Sequence, residues 1–512
     1  MEENSPLLDP QQQCDDHPKE RNSSQGTSQG NTSLNDTEAS QETTDFTPLT
    51  PNNFTSCPAA VFLTVNATLG AGLLNMPYAF KEGGGIGPSV FMQVILMIMA
   101  MGGLFILSLC TNLSRVDSFQ SLVGYFCGKR AKEWTSFAIF LHGFGCCITF
   151  IIIIGDQIDR LLASSFGTDF CHYWYMNRTF TMTIISIAFI LPMCFSRDIS
   201  FLKYPSYCGV VVMTYVIILA YFEWTKHEEL LSTMPGNSTL MHHTLHASHV
   251  GNLLVPKPHS IIHPIIHPIH AMAHSVFHLD VIRVVPTICF AYQCHLSWVP
   301  TIAGMRDKSV SSISLVMTIV FSFLVCFTAY TCVSVFGLLT FGQDIASDLM
   351  VNYDARKAGV MVAILVIAFK TVTTYPIMLY CARTAIDDAL VQVLKIGFPE
   401  ENELVRRIGI VIVWFFSTLI FAVYVPDISS TINLVGGLAI LFIFLIPGCT
   451  LISAVEMKRD HYSRVRFLSL TSLGVIYVLL GTFIFGITVA QVVIKDFFDS
   501  SIKPDVISLC VP

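Results

Sequence analysis

Three clusters of residues in this chain have the types and spacing to hold an ion or a small zwitterion, and all three interrupt apolar segments. The first is Val65-Asn66-Ala67-Thr68-Leu69-Gly70-Ala71-Gly72-Leu73-Leu74-Asn75-Met76-Pro77, where two glycines flank an alanine, Asn66 and Thr68 precede them and a proline follows. A helix broken there frees backbone groups, each of which costs several kcal/mol in hydrocarbon unless protein or a water-filled cavity satisfies it. The second cluster, Gln293-Cys294-His295, sits at mid-depth in an apolar stretch bounded by Pro286 and Pro300. The third is Lys370, one turn before Thr374 in an otherwise apolar helix. A charge is expensive there and points by default to function. Freed amides attract a carboxylate, while carbonyl, amide and hydroxyl oxygens suit a hard cation. This is the chemistry of binding and release, without covalent steps.

These clusters need a bilayer-spanning frame. In 512 residues, 53% are hydrophobic and 13% charged, with a mean hydropathy of +0.60, which places the chain among all-α polytopic membrane proteins. A spanning helix needs about 20 mostly apolar residues. Eleven such segments follow the polar first 55 residues, at 58–80, 89–111, 134–158, 179–196, 204–222, 281–304, 313–339, 359–384, 405–424, 431–453 and 467–491. Interrupted helices at positions one and six are the trace of an inverted-repeat transporter, with spans one to five and six to ten as the 5+5 repeats and the eleventh an addition. Half-helix N-termini then attract a substrate carboxylate and unwound carbonyls a cation, which predicts an amino acid or similar zwitterion as substrate. The net charge of −7 says nothing about nucleic acid, since the basic residues sit in short loops and not in one patch, and no nucleic acid is expected as a partner.

Charge also orients the chain. With the N-terminus in the cytosol, eighteen Lys and Arg residues fall on the cytosolic side and ten on the other, with Lys370 inside a helix. The odd span count puts the C-terminal tail, 493–512, in the lumen or outside the cell. Sequons at Asn177 and Asn237 fall in two lumenal or extracellular loops, as glycosylation requires. Cys171 and Cys510 lie on the same oxidising side and are candidates for a disulfide. Residues 1–55 read as a disordered cytosolic tail ahead of a transporter domain at 56–492. Residues 1–30 lack the apolar run of a cleavable signal peptide. Glu3, Leu7 and Leu8 form an acidic dileucine pattern that endolysosomal sorting adaptors read, although chance also produces it. The loop at 223–280 holds His227 and ten further histidines from His242 to His278. These suit a divalent metal, an acid sensor, or a solvated low-complexity loop.

The motifs Asn66–Asn75, Ile152–Gln157, Pro286–Phe290, Gln293–His295 and Gly436-Gly437-Leu438 resemble the sodium-coupled neutral amino acid transporters of the amino acid/auxin permease superfamily, over residues 58–492. That resemblance implies a LeuT-like core with broken helices 1 and 6. It implies cation-coupled symport of a neutral amino acid by alternating access, glutamine or asparagine favoured. The membrane is then lysosomal, with export from lumen to cytosol, or the plasma membrane as the alternative. By the same likeness the substrate would meet Thr68, Leu69, Gly70, Ala71 and Gly72 on one side and Phe290 and Ala291 on the other, with Gln293 and His295 for side-chain selectivity or gating. Na+ would sit among Asn66, Thr373 and Thr374. Lys370 would substitute for it or modulate it, exchanging H+ in place of Na+, unless its ammonium snorkels or pairs with an acid such as Asp156. Two other readings stay open: a proton-coupled permease, and an amino-acid sensor that signals to partners through the cytosolic tail.

Overall fold

The computed structural model describes residues 56–167, 173–195, 203–233, 279–305, 312–394, 403–425 and 427–493, and every regular element among them is helical. Helix α1 (Cys57–Thr68) begins where Ser56 Oγ accepts from the Ala59 amide at 3.4 Å and a proline occupies the first turn, where a missing N–H costs nothing. It ends as the backbone of Leu69 turns extended, and α2 (Gly72–Glu82) leaves at 57° to it. The chain continues through α3 (Ile86–Ser114), a short α4 (Phe119–Cys127), α5 (Lys129–Phe166), α6 (Arg178–Cys194) and α7 (Lys203–Thr233). After residue 279 come α8 (Val285–Ala291) and α9 (His295–Met305), then α10 (Ser312–Phe341), α11 (Ala358–Leu394), α12 (Glu403–Tyr424), α13 (Ile428–Met457) and α14 (Arg464–Val493).

By length and composition, eight of these helices can cross a bilayer, and the bent α1–α2 pair makes a ninth. The expected eleven segments all coincide with helices or broken pairs, but α6 and the two short pieces α8 and α9 fall below that length. Helix α5 is the most enclosed span and α14 the least. Leu473, Ile476, Leu479 and Phe483 form an exposed apolar stripe on α14, at the spacing of one helix face.

Two boundaries differ from the sequence expectation. Helix α7 runs on to Thr233, so His227 stands on a helix and not in a loop beginning at 223. Helix α4 falls in what reads as a connection. Its buried Phe119, Leu122, Val123 and Phe126 recur at i, i+3, i+4 and i+7, the pattern of an amphipathic helix lying on the bundle, and its nine residues are too few to span.

Helices α6 and α13 each carry one wide π turn, at Ser186–Ile190 and Leu441–Leu445, immediately before a proline, Pro192 and Pro447. Proline has no N–H for the i−4 carbonyl and its ring collides with it, and the wider turn moves that carbonyl aside.

At the end of the bundle that holds the 342–357 connection, α5 is tied by charged and polar side chains. Arg178 of α6 pairs with Asp156 and stands 3.6 Å from Asp159. Gln157 donates to Asp348 at 2.7 Å, Asp348 also accepts from the Met350 amide at 2.9 Å, and Arg160 donates to the Tyr353 carbonyl. The sequence offered Asp156 as a partner for Lys370. Asp156 instead has Arg178, because the first turn of α6 lies beside the last turns of α5. Burial, reinforced by the nearby Asp156 carboxylate, pushes the Asp348 carboxyl up to about 7; its hydrogen bonds and Arg160 pull the other way without offsetting this.

Candidate functional site

The two breaks face one another. A Cβ on Gly72, at the start of α2, would lie 2.9 Å from the Cβ of Ala291 at the end of α8, so only glycine allows this approach. At Gly70 a Cβ would have only the Thr68 carbonyl within 4 Å, at 3.9 Å. One glycine therefore packs helix ends together, and the other tolerates a side-chain atom in that direction.

The breaks leave backbone groups to be accounted for. Leu69 N–H still reaches the Val65 carbonyl at 2.8 Å, and Leu73 and Leu74 bond back to Gly70 and Ala71 at 3.0 and 3.2 Å. The N–H groups of Gly70 and Ala71 have no backbone partner among the described residues and precede a helix N-terminus, an anion-attracting arrangement. In the second break, Tyr292 N–H bonds to Ile288, and Gln293 N–H bonds to Phe290 at 3.3 Å. The carbonyls at the two cut ends share one donor. The Tyr330 hydroxyl of α10, fully buried, stands 2.7 Å from the Thr68 oxygen and 3.0 Å from the Ala291 oxygen. No local signal marks Tyr330, an aromatic in an apolar helix.

The next carbonyl, of Leu69, accepts from the ammonium of Lys370, which α11 carries into the first break. Lys370 is only 8% exposed, which rules out snorkelling. Gly209 of α7 makes the room: a Cβ there would collide with Asn66 Oδ1 and come within 3.2 Å of Lys370 Cε. Asn66 Oδ1 is buried and has no hydrogen-bond partner. The Thr373 and Thr374 hydroxyls both donate to the Lys370 carbonyl, at 2.9 and 2.7 Å, so their protons go into their own helix and their oxygens keep lone pairs. Asn66, the Leu69 carbonyl and Lys370 thus meet at one corner. An orphan amide oxygen is a ligand that a hard cation takes, but the lysine ammonium already brings a positive charge to the same place.

On the side of the second break, Phe290 and Gln293 are partly open, while His295 is fully buried with Nε2 3.1 Å from the Ala100 carbonyl of α3. His295 therefore braces α9 on α3, at a spot where Gly103 has no side chain to obstruct it, and does not meet the other candidate ligands. The Thr68 hydroxyl is likewise engaged locally, donating to Thr64 at 2.7 Å. A further polar set escaped the sequence reading. Thr287 stands 3.3 Å from Asn75 Oδ1 and 3.4 Å from Asn433 Oδ1, linking α8 to α2 and α13, and Gln93 donates to the Tyr292 hydroxyl at 2.9 Å.

Outside the breaks, Asn177 is exposed and caps α6, its Oδ1 accepting from Thr179 N–H at 3.0 Å, a bond that leaves the amide nitrogen unused. Asn237, Glu3, Leu7, Leu8, Cys171, Cys510 and the histidines from His242 to His278 lie outside the described residues. Among the described residues no group of three or more His, Cys, Asp or Glu side chains is placed to hold a metal ion.

Comparison with known proteins adds four likenesses. The model of the transmembrane amino acid transporter protein family matches residues 54–494. A sodium-coupled neutral amino acid transporter 7 from Danio rerio is 34% identical over 455 residues, 88% of this chain and 90% of that protein. The human solute carrier family 38 member 8 is 31% identical over 88% of this chain and 96% of its own length. Among solved structures, a manganese transporter of Eremococcus coleocola aligns with a TM-score of 0.49 at 12% identity over 90% of this chain and 92% of that one, too loose a match to carry an argument.

Proposed function

The chain belongs to the transmembrane amino acid transporter family, and on that premise we propose that it is a cation-coupled symporter of neutral amino acids, with glutamine and asparagine preferred. The observation that carries this reading is the pair of facing breaks, whose cut carbonyls share Tyr330 and whose amides at Gly70 and Ala71 have no backbone partner among the described residues. Those amides suit the substrate carboxylate, and the carbonyl ends suit its ammonium and a co-transported cation. The frame we propose has eleven crossings, with α6 and the α8–α9 pair as the fourth and sixth. The broken first and sixth spans then occupy corresponding positions of a 5+5 inverted-repeat core.

Cytosolic placement of the N-terminal tail, by the excess of basic residues on that side, makes the 342–357 connection and the exposed Asn177 lumenal or extracellular. The acidic dileucine pattern supports the lysosomal membrane, where this orientation carries substrate from lumen to cytosol. Movement of one cation down 100 mV supplies about 2.3 kcal/mol, enough for a substrate gradient of roughly fiftyfold.

Sodium is the cation in the names of several relatives. A second reading rests on Lys370, whose ammonium occupies the corner that the co-transported ion would use, and makes H+ the coupled ion. Proteoliposomes containing the full chain decide between them. Uptake of labelled glutamine is followed with Na+ and pH varied independently across a panel of amino acids. A sodium gradient that drives accumulation at matched pH supports the first reading, and accumulation driven by pH alone supports the second. Absence of counterflow for every neutral amino acid, with ligand-dependent capture of cytosolic proteins, would establish the sensor reading instead.

A further inference from the structure

We propose that the cleft between the last turns of α7 and the first turn of α11 binds an anionic phospholipid, its phosphate held by Lys226 and Lys357 and its acyl chains laid against the apolar face below. The cleft has a volume of about 370 Å³, and Ile218, Leu219, Phe222, Glu223, Lys226 and Lys357 line it. Its two walls are fixed to each other, since the Tyr215 hydroxyl of α7 donates to the Gly359 carbonyl of α11 at 2.9 Å. Both helices are long and apolar enough to cross a bilayer. The site requires only that these two helices span the membrane, and it stands apart from the transport reading.

The charges of the cleft suit an anion. Glu223, whose side chain is 11% exposed, gathers both lysines: it pairs with Lys357 and stands 3.9 Å from Lys226. Two ammoniums and one carboxylate leave the lining with one positive charge, the complement of a phosphodiester. Glu223 does not exhaust either ammonium, which has three N–H donors, and both lysine side chains remain open, at 66% and 42% exposure. Lysines that merely snorkel spread over a surface on flexible stems; these two converge on one carboxylate above a concave apolar floor. The apolar part has the depth of one leaflet. Val211, Ile218 and Phe222 are exposed along α7, and Val362, Leu365 and Phe369 along α11, each set at the spacing of a helix face. At 1.5 Å per residue the run from Phe222 to Val211 covers about 16 Å, close to the ~15 Å half-thickness of a hydrocarbon core. Lys226 lies one turn beyond Phe222, and Lys357 precedes Val362, which puts both ammoniums at the level of the headgroups.

The test is thermal melting of the full-length protein in detergent micelles doped with phosphatidylglycerol, with phosphatidylcholine of the same chains, or with glycerol 3-phosphate as the headgroup without chains. Phosphatidylglycerol should raise the melting temperature by about 3 °C or more over phosphatidylcholine, as a ligand of the folded state does, and glycerol 3-phosphate should leave it unmoved. Lys226→Glu, at an exposed position, should abolish that difference. Lys129→Glu, which changes the net charge equally at an exposed site on α5, should keep it. The double variant Glu223→Gln with Lys357→Gln removes the second ammonium without stranding the carboxylate, and should lose most of the difference as well. Equal shifts with both lipids overturn the proposal, as does a phosphatidylglycerol shift that survives both cleft variants. Loss of the shift in Lys129→Glu would reduce it to a general charge effect, and a shift produced by glycerol 3-phosphate would give the cleft to a soluble phosphate instead of a lipid.

Discussion

The two breaks are made differently. The first is cut with glycines, bends by 57°, and receives a charged side chain from a distant helix. The second contains no glycine between Val285 and Pro300; its gap is filled by Tyr292, Gln293 and Cys294, and its polar contacts are neutral. Backbone exposure at the first comes from missing side chains, whereas at the second Tyr292 turns to Gln93 of α3 and Thr287 of α8 to Asn433 of α13. The difference separates two tasks. Under the transport reading proposed above, charge would be handled at the first break, beside Asn66, Leu69 and Lys370, and the substrate side chain at the second, beside Gln293. Tyr330 is where the two meet.

The largest effect should come from removing that junction. Tyr330→Phe leaves two buried carbonyls without their donor, at about 1–3 kcal/mol each, and should cut initial rates of glutamine counterflow by roughly 10- to 100-fold at unchanged surface expression. Near wild-type rates would mean that the breaks move independently. Lys370→Met should come next. It removes the charge and leaves the Leu69 carbonyl unpaired, so we expect a stability loss of about 1–3 kcal/mol and a changed dependence of uptake on Na+ and pH, with the ratio of glutamine to alanine uptake unaltered. A shift in that ratio would merge the two tasks. The glycines should then part company in thermal melting. Gly72→Ala drives a methyl against Ala291 and should destabilise by about 1–3 kcal/mol, whereas Gly70→Ala should stay within about 0.5 kcal/mol yet impair substrate binding.

The smallest effect lies away from both breaks, at Asp348. Its carboxyl is raised by burial from an ordinary 3.8 to about 7, so the folded protein holds a proton that the unfolded chain releases. That contribution to stability is complete below about pH 4 and is lost as pH rises through 7. Between pH 5 and 7 it amounts to on the order of 1 kcal/mol, and Asp348→Asn should flatten the slope of melting temperature against pH over that interval. An unchanged slope would place the titrating group elsewhere. The direction agrees with the lumenal placement proposed above for the 342–357 connection.

Both breaks were legible because glycine, proline and amides are conspicuous in hydrocarbon-length segments, and Lys370 was legible for the same reason. Their partners were not. Tyr330 looks like an ordinary residue of an apolar helix, and what distinguishes it is a pair of carbonyls 262 and 39 positions away in the chain. His295 misled in the opposite direction: a polar residue at mid-depth reads as a ligand, but the absence of a side chain at Gly103 lets it dock on α3. Arg178 reads as a loop charge inside a sequon, and only the packing of α6 on α5 gives it Asp156. Helix α4 was hidden by its shortness, although its apolar spacing is regular.

The wide turn of α13 has a further consequence, one of phase. A π turn holds a residue more than the α turn it replaces, so Leu441–Leu445 amounts to an insertion absorbed without a loop. Tightening that turn to α geometry with every residue kept would rotate everything after it by about 100° around the axis. Leu451 and Val455, now inward, would swing away and Cys449 and Ser453 would turn in. The extra residue, paired with Pro447, therefore sets which face of the second half of α13 the bundle sees.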